Sequence, residues 1–285
     1  MTSALWKSKG KIIKINNRNI FMIDEGNNDN TLVILHGYPT SSFDYYKALP
    51  FLTQHYRVII HDHLGFGFSD KPLDYSYSLI EQADIALLLW QKLGLQNITL
   101  LTHDYGTSIA TEIIARYNQN QLKVTVDKLI LCNGSMHIEL AKLRTIQKLL
   151  KNKITGKWVA KLANQAIFNQ NIRNIYFDKS KISKAELNEM WFQINHNNGR
   201  NVIHLLSNYI NERYFFWHRW IGALQRTKIS TKIVWATHDP IAVKEIAEQL
   251  HKEIPNNKLF WLANTGHFPM LENPKEWCEL VLKVK

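Results

Sequence analysis

Three short segments of this chain carry side chains able to make and break a covalent bond: His103-Asp104-Tyr105-Gly106, His238-Asp239-Pro240 and Gly266-His267-Phe268. In chain order they supply a carboxylate, a second carboxylate and an imidazole, the order nucleophile, acid, base. The apolar run Ile98-Thr99-Leu100-Leu101 reads as a short buried strand, and Ile109, Ile113 and Ile114 fall at helical spacing beyond it. Asp104 therefore sits on a strand-to-helix turn. Gly106 permits the sharp turn and Thr102 is tolerated, so the carboxylate is presented into a cleft. Each segment alone is an ordinary turn; their joint placement at strand ends, in this order, carries the argument.

The nucleophile selects the chemistry. A carboxylate with an ordinary pKa of about 4 is ionised at neutral pH and attacks without a base. Attack on an ester or amide would give a mixed anhydride, whereas attack on a saturated carbon gives a stable alkyl ester of Asp104. His267, oriented by Asp239, is then free to activate water against that ester. In His36-Gly37-Tyr38-Pro39, after another strand, the glycine lets the Tyr38 N–H face the nucleophile. With the Tyr105 N–H it is expected to form an oxyanion hole, each such donor contributing about 3 to 4 kcal/mol. His36 and His61 read first as loop-holding residues; His36, Tyr176 and Tyr214 are also placed at the substrate cavity. A halide leaving group wants fixed N–H donors such as indoles, while an epoxide oxygen wants a proton from a phenol, an effect of about 10² to 10⁴ in rate. Tyrosine rather than tryptophan after Asp104, and the tyrosines Tyr176, Tyr209 and Tyr214, favour the epoxide.

The elements that must position these residues are legible as an alternation. Lys11 to Asn16 and Asn19 to Glu25 read as a hairpin turning at Asn17-Arg18. Leu32–Leu35, a helical stretch from Phe43 to Gln54, Arg57–Ile60, a helix from Leu79 to Lys92, the Asp104 strand and Lys128–Leu131 follow, a rhythm of parallel strands with right-handed crossovers. The rhythm breaks near Gly134 and resumes at Thr231–Trp235, then Leu259–Leu262. The expected fold is α/β, with a core domain in two parts, 1–134 and 226–285, and a helical lid over 135–225. Within the lid, Leu140, Leu143, Ile146, Leu149 and Leu150 show apolar periodicity, and Ser183-Lys184-Ala185-Glu186 is a capping box. The lid's many aromatics mostly pack, with a minority lining an apolar cavity.

At 285 residues and 45% hydrophobic, the chain can fill one large core with an inserted subdomain. The net charge of +11 comes from 35 Lys and Arg against 24 Asp and Glu. Lys142, Lys148, Lys151, Lys153, Lys157 and Lys161 read as solvated helix faces, and no nucleic-acid module signature is present. Cys132 and Cys278 lack metal-ligand or CxxC spacing and read as buried thiols. Met1 to Lys14 has no signal-peptide apolar region and no stretch reaches membrane-span length, so a cytoplasmic protein without a membrane span is expected.

With the strings His36-Gly37-Tyr38-Pro39-Thr40-Ser41-Ser42, Leu64-Gly65-Phe66-Gly67-Phe68-Ser69-Asp70-Lys71-Pro72, His103-Asp104-Tyr105-Gly106, Tyr209-Ile210-Asn211-Glu212-Arg213 and Arg219-Trp220-Ile221-Gly222-Ala223-Leu224, the chain resembles the aspartate-nucleophile branch of the α/β-hydrolase family. That branch holds epoxide hydrolases and haloalkane dehalogenases, and the likeness is greatest to its mesoderm-specific transcript group. The resemblance covers nearly the whole chain. It implies an eight-stranded, mostly parallel sheet, a helical lid after the sixth strand, a cis peptide before Pro39, no cofactor or metal, and Tyr209 as the proton donor. The aromatic lid points to a small apolar organic substrate, with water as the other partner. Tyr105 departs from the branch, whose tryptophan at that position binds halide in dehalogenases. Three alternatives to an epoxide hydrolase remain open on sequence: a haloalkane dehalogenase, a metal-dependent hydrolase using His61-Asp62, His63, His103-Asp104 and His238-Asp239, and a non-catalytic binding protein on this scaffold.

Overall fold

Apolar runs bounded by turn residues become the eight strands of one sheet in the computed structural model, which describes residues 1–152 and 154–283. The strands are β1 (Lys11–Ile15), β2 (Arg18–Glu25), β3 (Thr31–Leu35), β4 (Arg57–His61), β5 (Asn97–His103), β6 (Thr125–Cys132), β7 (Ser230–Ala236) and β8 (Asn257–Leu262). Their spatial order is β1-β2-β4-β3-β5-β6-β7-β8. β2 pairs antiparallel with β1 and β4, and every other pairing is parallel. The fold is thus α/β, an eight-stranded and mostly parallel sheet.

Burial on both faces explains the continuous apolar runs of the central strands. Val33, Leu35 and Leu100 point to one side, where they pack with Ile109 and Ile113 of the Tyr105–Tyr117 helix and with Leu89 of the Leu79–Lys92 helix. Ile34, Ile60 and Leu101 point to the other, toward Trp6 of the Ser3–Lys9 helix and Trp277 of the Pro274–Leu282 helix. Parallel strands all end at one sheet edge, so β3, β5, β6, β7 and β8 deliver the residues after them to a common rim.

Two local expectations need correction. The hairpin turns at Asn16-Asn17, both at positive φ (44° and 63°), with Ile15 opposite Arg18; asparagine tolerates that conformation, and a two-residue turn of this hand matches strand twist. The stretch from Phe43 to Gln54 is not one helix but a 3₁₀ turn (Ser42–Tyr45) and a short helix (Leu49–Leu52), because Pro50 can start a helix but not continue one.

Between β6 and β7 the chain makes an insertion of short helices, among them Thr145–Leu150, Gly156–Leu162, Gln165–Arg173, Lys184–Asn195, Tyr209–Phe215 and Trp217–Arg226. Lys153 lies outside the described residues. The apolar periodicity from Leu140 to Leu150 forms a helix only from Thr145, leaving Leu140 and Leu149 exposed. Ser183 caps its helix as the sequence indicates: Glu186 N–H donates to Ser183 Oγ at 3.1 Å, and Ser183 N–H to Glu186 Oε2 at 2.9 Å. The insertion's last helix is clamped to the Tyr105–Tyr117 helix by a buried carboxylate of that helix. Glu112 accepts from Arg219 Nε (2.8 Å), Arg219 Nη2 (2.9 Å), Trp220 Nε1 (2.9 Å) and Arg116 Nε (2.8 Å). Among the described residues no helix is long and apolar enough to cross a membrane.

Candidate active site

Asp104 is the last residue before the Tyr105–Tyr117 helix, at φ 43° and ψ −107°, a conformation that costs a non-glycine residue of order 1–3 kcal/mol. Its surroundings hold it there. Gly106 N–H donates to the His36 carbonyl at 3.0 Å, and a Cβ at Gly106 would collide with the Leu35 carbonyl, so the elbow lies tight against the end of β3. Thr107 N–H returns to the Asp104 carbonyl at 3.1 Å, and Arg213 Nη2 donates to the same oxygen at 3.0 Å.

The two carboxylate oxygens are differently occupied. Oδ2 accepts from the Tyr38 N–H at 3.0 Å and lies 3.9 Å from His267 Nε2. Oδ1 lies 3.6 Å from Arg213 Nη2. Tyr105 opens the helix, where N–H groups have no helical acceptor. The Tyr38–Pro39 peptide is cis.

Behind the imidazole, His267 Nδ1 donates to Asp239 Oδ2 at 2.7 Å. Asp239, after β7, is saturated with donors: Asn133 Nδ2 (2.9 Å) on Oδ2, and the N–H groups of Ile241 (2.8 Å) and Ala242 (3.0 Å) on Oδ1. His267 itself is fixed by its N–H to the Ile175 carbonyl (2.8 Å), and its carbonyl accepts from His103 Nε2 (2.7 Å).

Charge follows from these contacts. Burial favours neutral Asp104, but the hydrogen bond and charge of His267, with the Arg213 guanidinium, outweigh it and hold the carboxyl well below the usual carboxylate range. Burial also opposes charge on His267, yet the Asp239 carboxylate and Asp104 outweigh it and raise the imidazole to about 10. Both shifts favour the charged forms of Asp104 and His267.

Asp104 and His267 open onto a cleft of about 110 Å³ beneath the insertion, walled by Tyr38, Pro39, Ile146, Gln147, Leu150, Val159, Ile167, Phe168, Ile172, Ile175, Trp191, Ile203 and Ile241. Arg144, Asn164 and Asn171 add polar groups to a wall that is otherwise mostly aliphatic and aromatic. Tyr209 is fully buried one layer behind it: its ring packs 5.3 Å from those of Tyr38 and Tyr105, under the Arg213 guanidinium (4.5 Å), and its hydroxyl accepts from Gln147 Nε2 at 3.2 Å. Burial, then the Asp104 charge, push its phenol above the ordinary range, so it is protonated at neutral pH.

Three residues expected at the cavity are elsewhere. His36 is buried beneath the rim, accepting from the His63 N–H at 3.1 Å with the two rings 4.1 Å apart. Tyr176 packs on Phe268 (5.9 Å) behind the His267 loop. Tyr214 is half exposed with Lys151 over its ring (5.5 Å), because it follows the buried Tyr209–Arg213 helical row by one residue and so faces outward. His61 and His63 are buried, and burial holds both well toward the neutral form. Among the described residues no three His, Cys, Asp or Glu side chains group closely enough to hold a metal.

Sequence reasoning passed over Asn133 and Arg213. Asn133 directly follows β6, as the other site residues follow their strands, and also accepts from the Ala236 N–H at 3.0 Å. Its position was the available signal. Arg213 is the i+4 neighbour of Tyr209, and its burial against Ser108 Oγ (Nε, 2.6 Å) could not be inferred from spacing.

Residues 30–274 match the family model of the alpha/beta hydrolase fold, and the chain belongs to that family. It is 38% identical to the human mesoderm-specific transcript homolog protein over 94% of this chain and 83% of that one. It is 33% identical to a putative hydrolase, LipZ, of Mycobacterium tuberculosis, covering 98% and 96%. The solved haloalkane dehalogenase DbeA of Bradyrhizobium elkani superposes with a TM-score of 0.81 at 19% identity over 95% of each chain, a likeness of fold.

Proposed function

We propose that this chain is a hydrolase that opens epoxides to diols through an ester of Asp104. The observation that carries the reading is the split occupancy of the Asp104 carboxylate: Oδ2 is held by the Tyr38 N–H while His267, backed by Asp239, stands beside it. In this mechanism Oδ1 attacks an epoxide carbon, the ring C–O bond breaks, and the alkoxide takes a proton from a phenol, assigned to Tyr209, whose hydroxyl meets the cleft when the Gln147 amide in front of it shifts aside. Oδ2 becomes the ester carbonyl oxygen and is already on its hydrogen-bond donor. His267, having released its resting proton to solvent once Asp104 is esterified, then removes a proton from water as it attacks the ester carbon. The tetrahedral oxyanion collapses, expelling the diol oxygen, which takes that proton from His267. The remaining carboxylic proton restores the tyrosine, leaving epoxide plus water converted to diol.

The charge states fit this sequence. Asp104 is ionised for attack, and its esterification removes one of the two carboxylates that raise His267, making the imidazole a usable base when a base is needed. The insertion acts as a lid whose apolar wall selects the substrate. Dehalogenation is the weaker reading, because the residue after Asp104 supplies no indole and its ring is turned into the core against Phe66 and Tyr209.

The test is intact-mass spectrometry of His267→Gln protein incubated separately with panels of epoxides and bromoalkanes. A stable adduct of full epoxide mass on Asp104 is expected. An alkyl adduct with released bromide would establish the dehalogenase instead, and no adduct from either panel would overturn the covalent mechanism for both substrate classes.

A further inference from the structure

One segment of the insertion has a composition that the reaction does not use. Residues 140 to 177 contain eight Lys and Arg and no Asp or Glu, in a chain whose whole net charge is +11. Solvated basic helices ordinarily pair lysines with carboxylates and turn their large apolar side chains inward. Here the Gly156–Leu162 helix lines the cleft with Val159 but leaves Trp158 65% and Leu162 75% exposed, with Ile154 just before it 80% exposed. Lys157 and Lys161 are exposed on the same helix, Lys161 lying 5.5 Å from the Trp158 ring. Ile167, on the Gln165–Arg173 helix, is also half exposed and lines the cleft.

We propose that this face docks on an anionic lipid bilayer, lysines on the headgroups and Ile154, Trp158 and Leu162 in the headgroup–acyl boundary. Three features select that occupant. A second copy would bring like charge against like charge. Nucleic acid would satisfy the lysines but leave the two aliphatic side chains exposed to phosphate. A bilayer accepts projecting apolar side chains without a preformed pocket, favours tryptophan at its interface, and supplies the missing negative charge. Docked this way, the cleft faces the compartment where apolar molecules concentrate, and its substrates are lipid-dissolved.

The experiment is sedimentation of the full chain with vesicles of phosphatidylcholine alone and of equal parts phosphatidylcholine and phosphatidylglycerol. Wild type should sediment with the mixed vesicles, not the neutral ones, and be released by salt. Trp158→Ala with Leu162→Ala should lower partitioning about tenfold. Lys157→Glu with Lys161→Glu should lower it by at least roughly fivefold per lysine. All of these side chains are exposed, so melting curves should be unchanged. Asp104→Asn should bind vesicles like wild type, which separates docking from the chemistry. Failure of wild type to sediment with anionic vesicles would overturn the proposal, as would equal partitioning of the variants. So would a patch-dependent dimer in size-exclusion chromatography without vesicle binding.

Discussion

The sheet rim and the insertion above it hold their residues by opposite means. At the rim, Asp104, Asp239 and His267 are nearly solvent-free, and each is fixed by backbone or side-chain partners from at least two other segments. In the insertion the helices are short, and large apolar side chains such as Ile154 and Leu162 stand in solvent. Under the proposed function the difference separates two tasks. A reacting group gains from being held in one geometry, whereas a surface that meets apolar molecules must present what a core would hide.

The comparison can be broken first at the nucleophile. Asp104→Asn should reduce epoxide turnover by roughly 10⁴ or more, measured as initial rate, with a mass check that the amide has not reverted. Tyr209→Phe asks whether the insertion contributes chemistry as well as a wall: loss of about 10² to 10⁴ in kcat is expected with epoxides, and an unchanged kcat would return proton donation to another group. Leu100→Ala, in the centre of the sheet, should cost about 2–5 kcal/mol by chemical denaturation.

A pH series of single turnovers, quenched and weighed, should sharpen the comparison within the rim. Asp104 is ionised well below neutrality, so ester formation should be flat across neutral pH. Ester breakdown needs neutral His267, and with Asp104 esterified one of the two carboxylates that hold its proton is gone, so breakdown should climb about tenfold per pH unit only until the imidazole of the ester form is neutral, below the value of about 10 in the resting site. The smallest effect is expected in the insertion: Trp158→Ala should change stability by no more than about 0.5 kcal/mol, and a loss like that of Leu100→Ala would mean the face is packed rather than free.

The strands were legible because a doubly covered strand is apolar throughout, and the helix Leu79–Lys92 because Ser78 caps it and its apolar stripe is regular. Pro50 shows where apolar pattern misleads: the run from Phe43 to Gln54 looks continuous, but proline divides it. Asp104, Asp239 and His267 could be named because each belongs to a short local segment at a strand end. Asn133 and Arg213 act through contacts with residues about a hundred positions away, and no spacing encodes those. Tyr214 was misplaced for a related reason. In the short helices of this insertion, which residue faces inward depends on how each helix is rotated against its neighbours.

The backward-bent backbone at Asp104 is secured by the Gly106 amide on the His36 carbonyl and by the Thr107 amide and Arg213 on the Asp104 carbonyl, bonds made to backbone atoms rather than to the side chain at position 104. The mount is therefore separate from the tool it carries. A hydroxyl in place of the carboxylate would meet the same N–H donor and the same imidazole, and the machinery would be redirected from saturated to acyl carbon. Weak ester cleavage by Asp104→Ser, absent from Asp104→Ala, would be the signature of a scaffold whose choice of reaction rests on one interchangeable atom group.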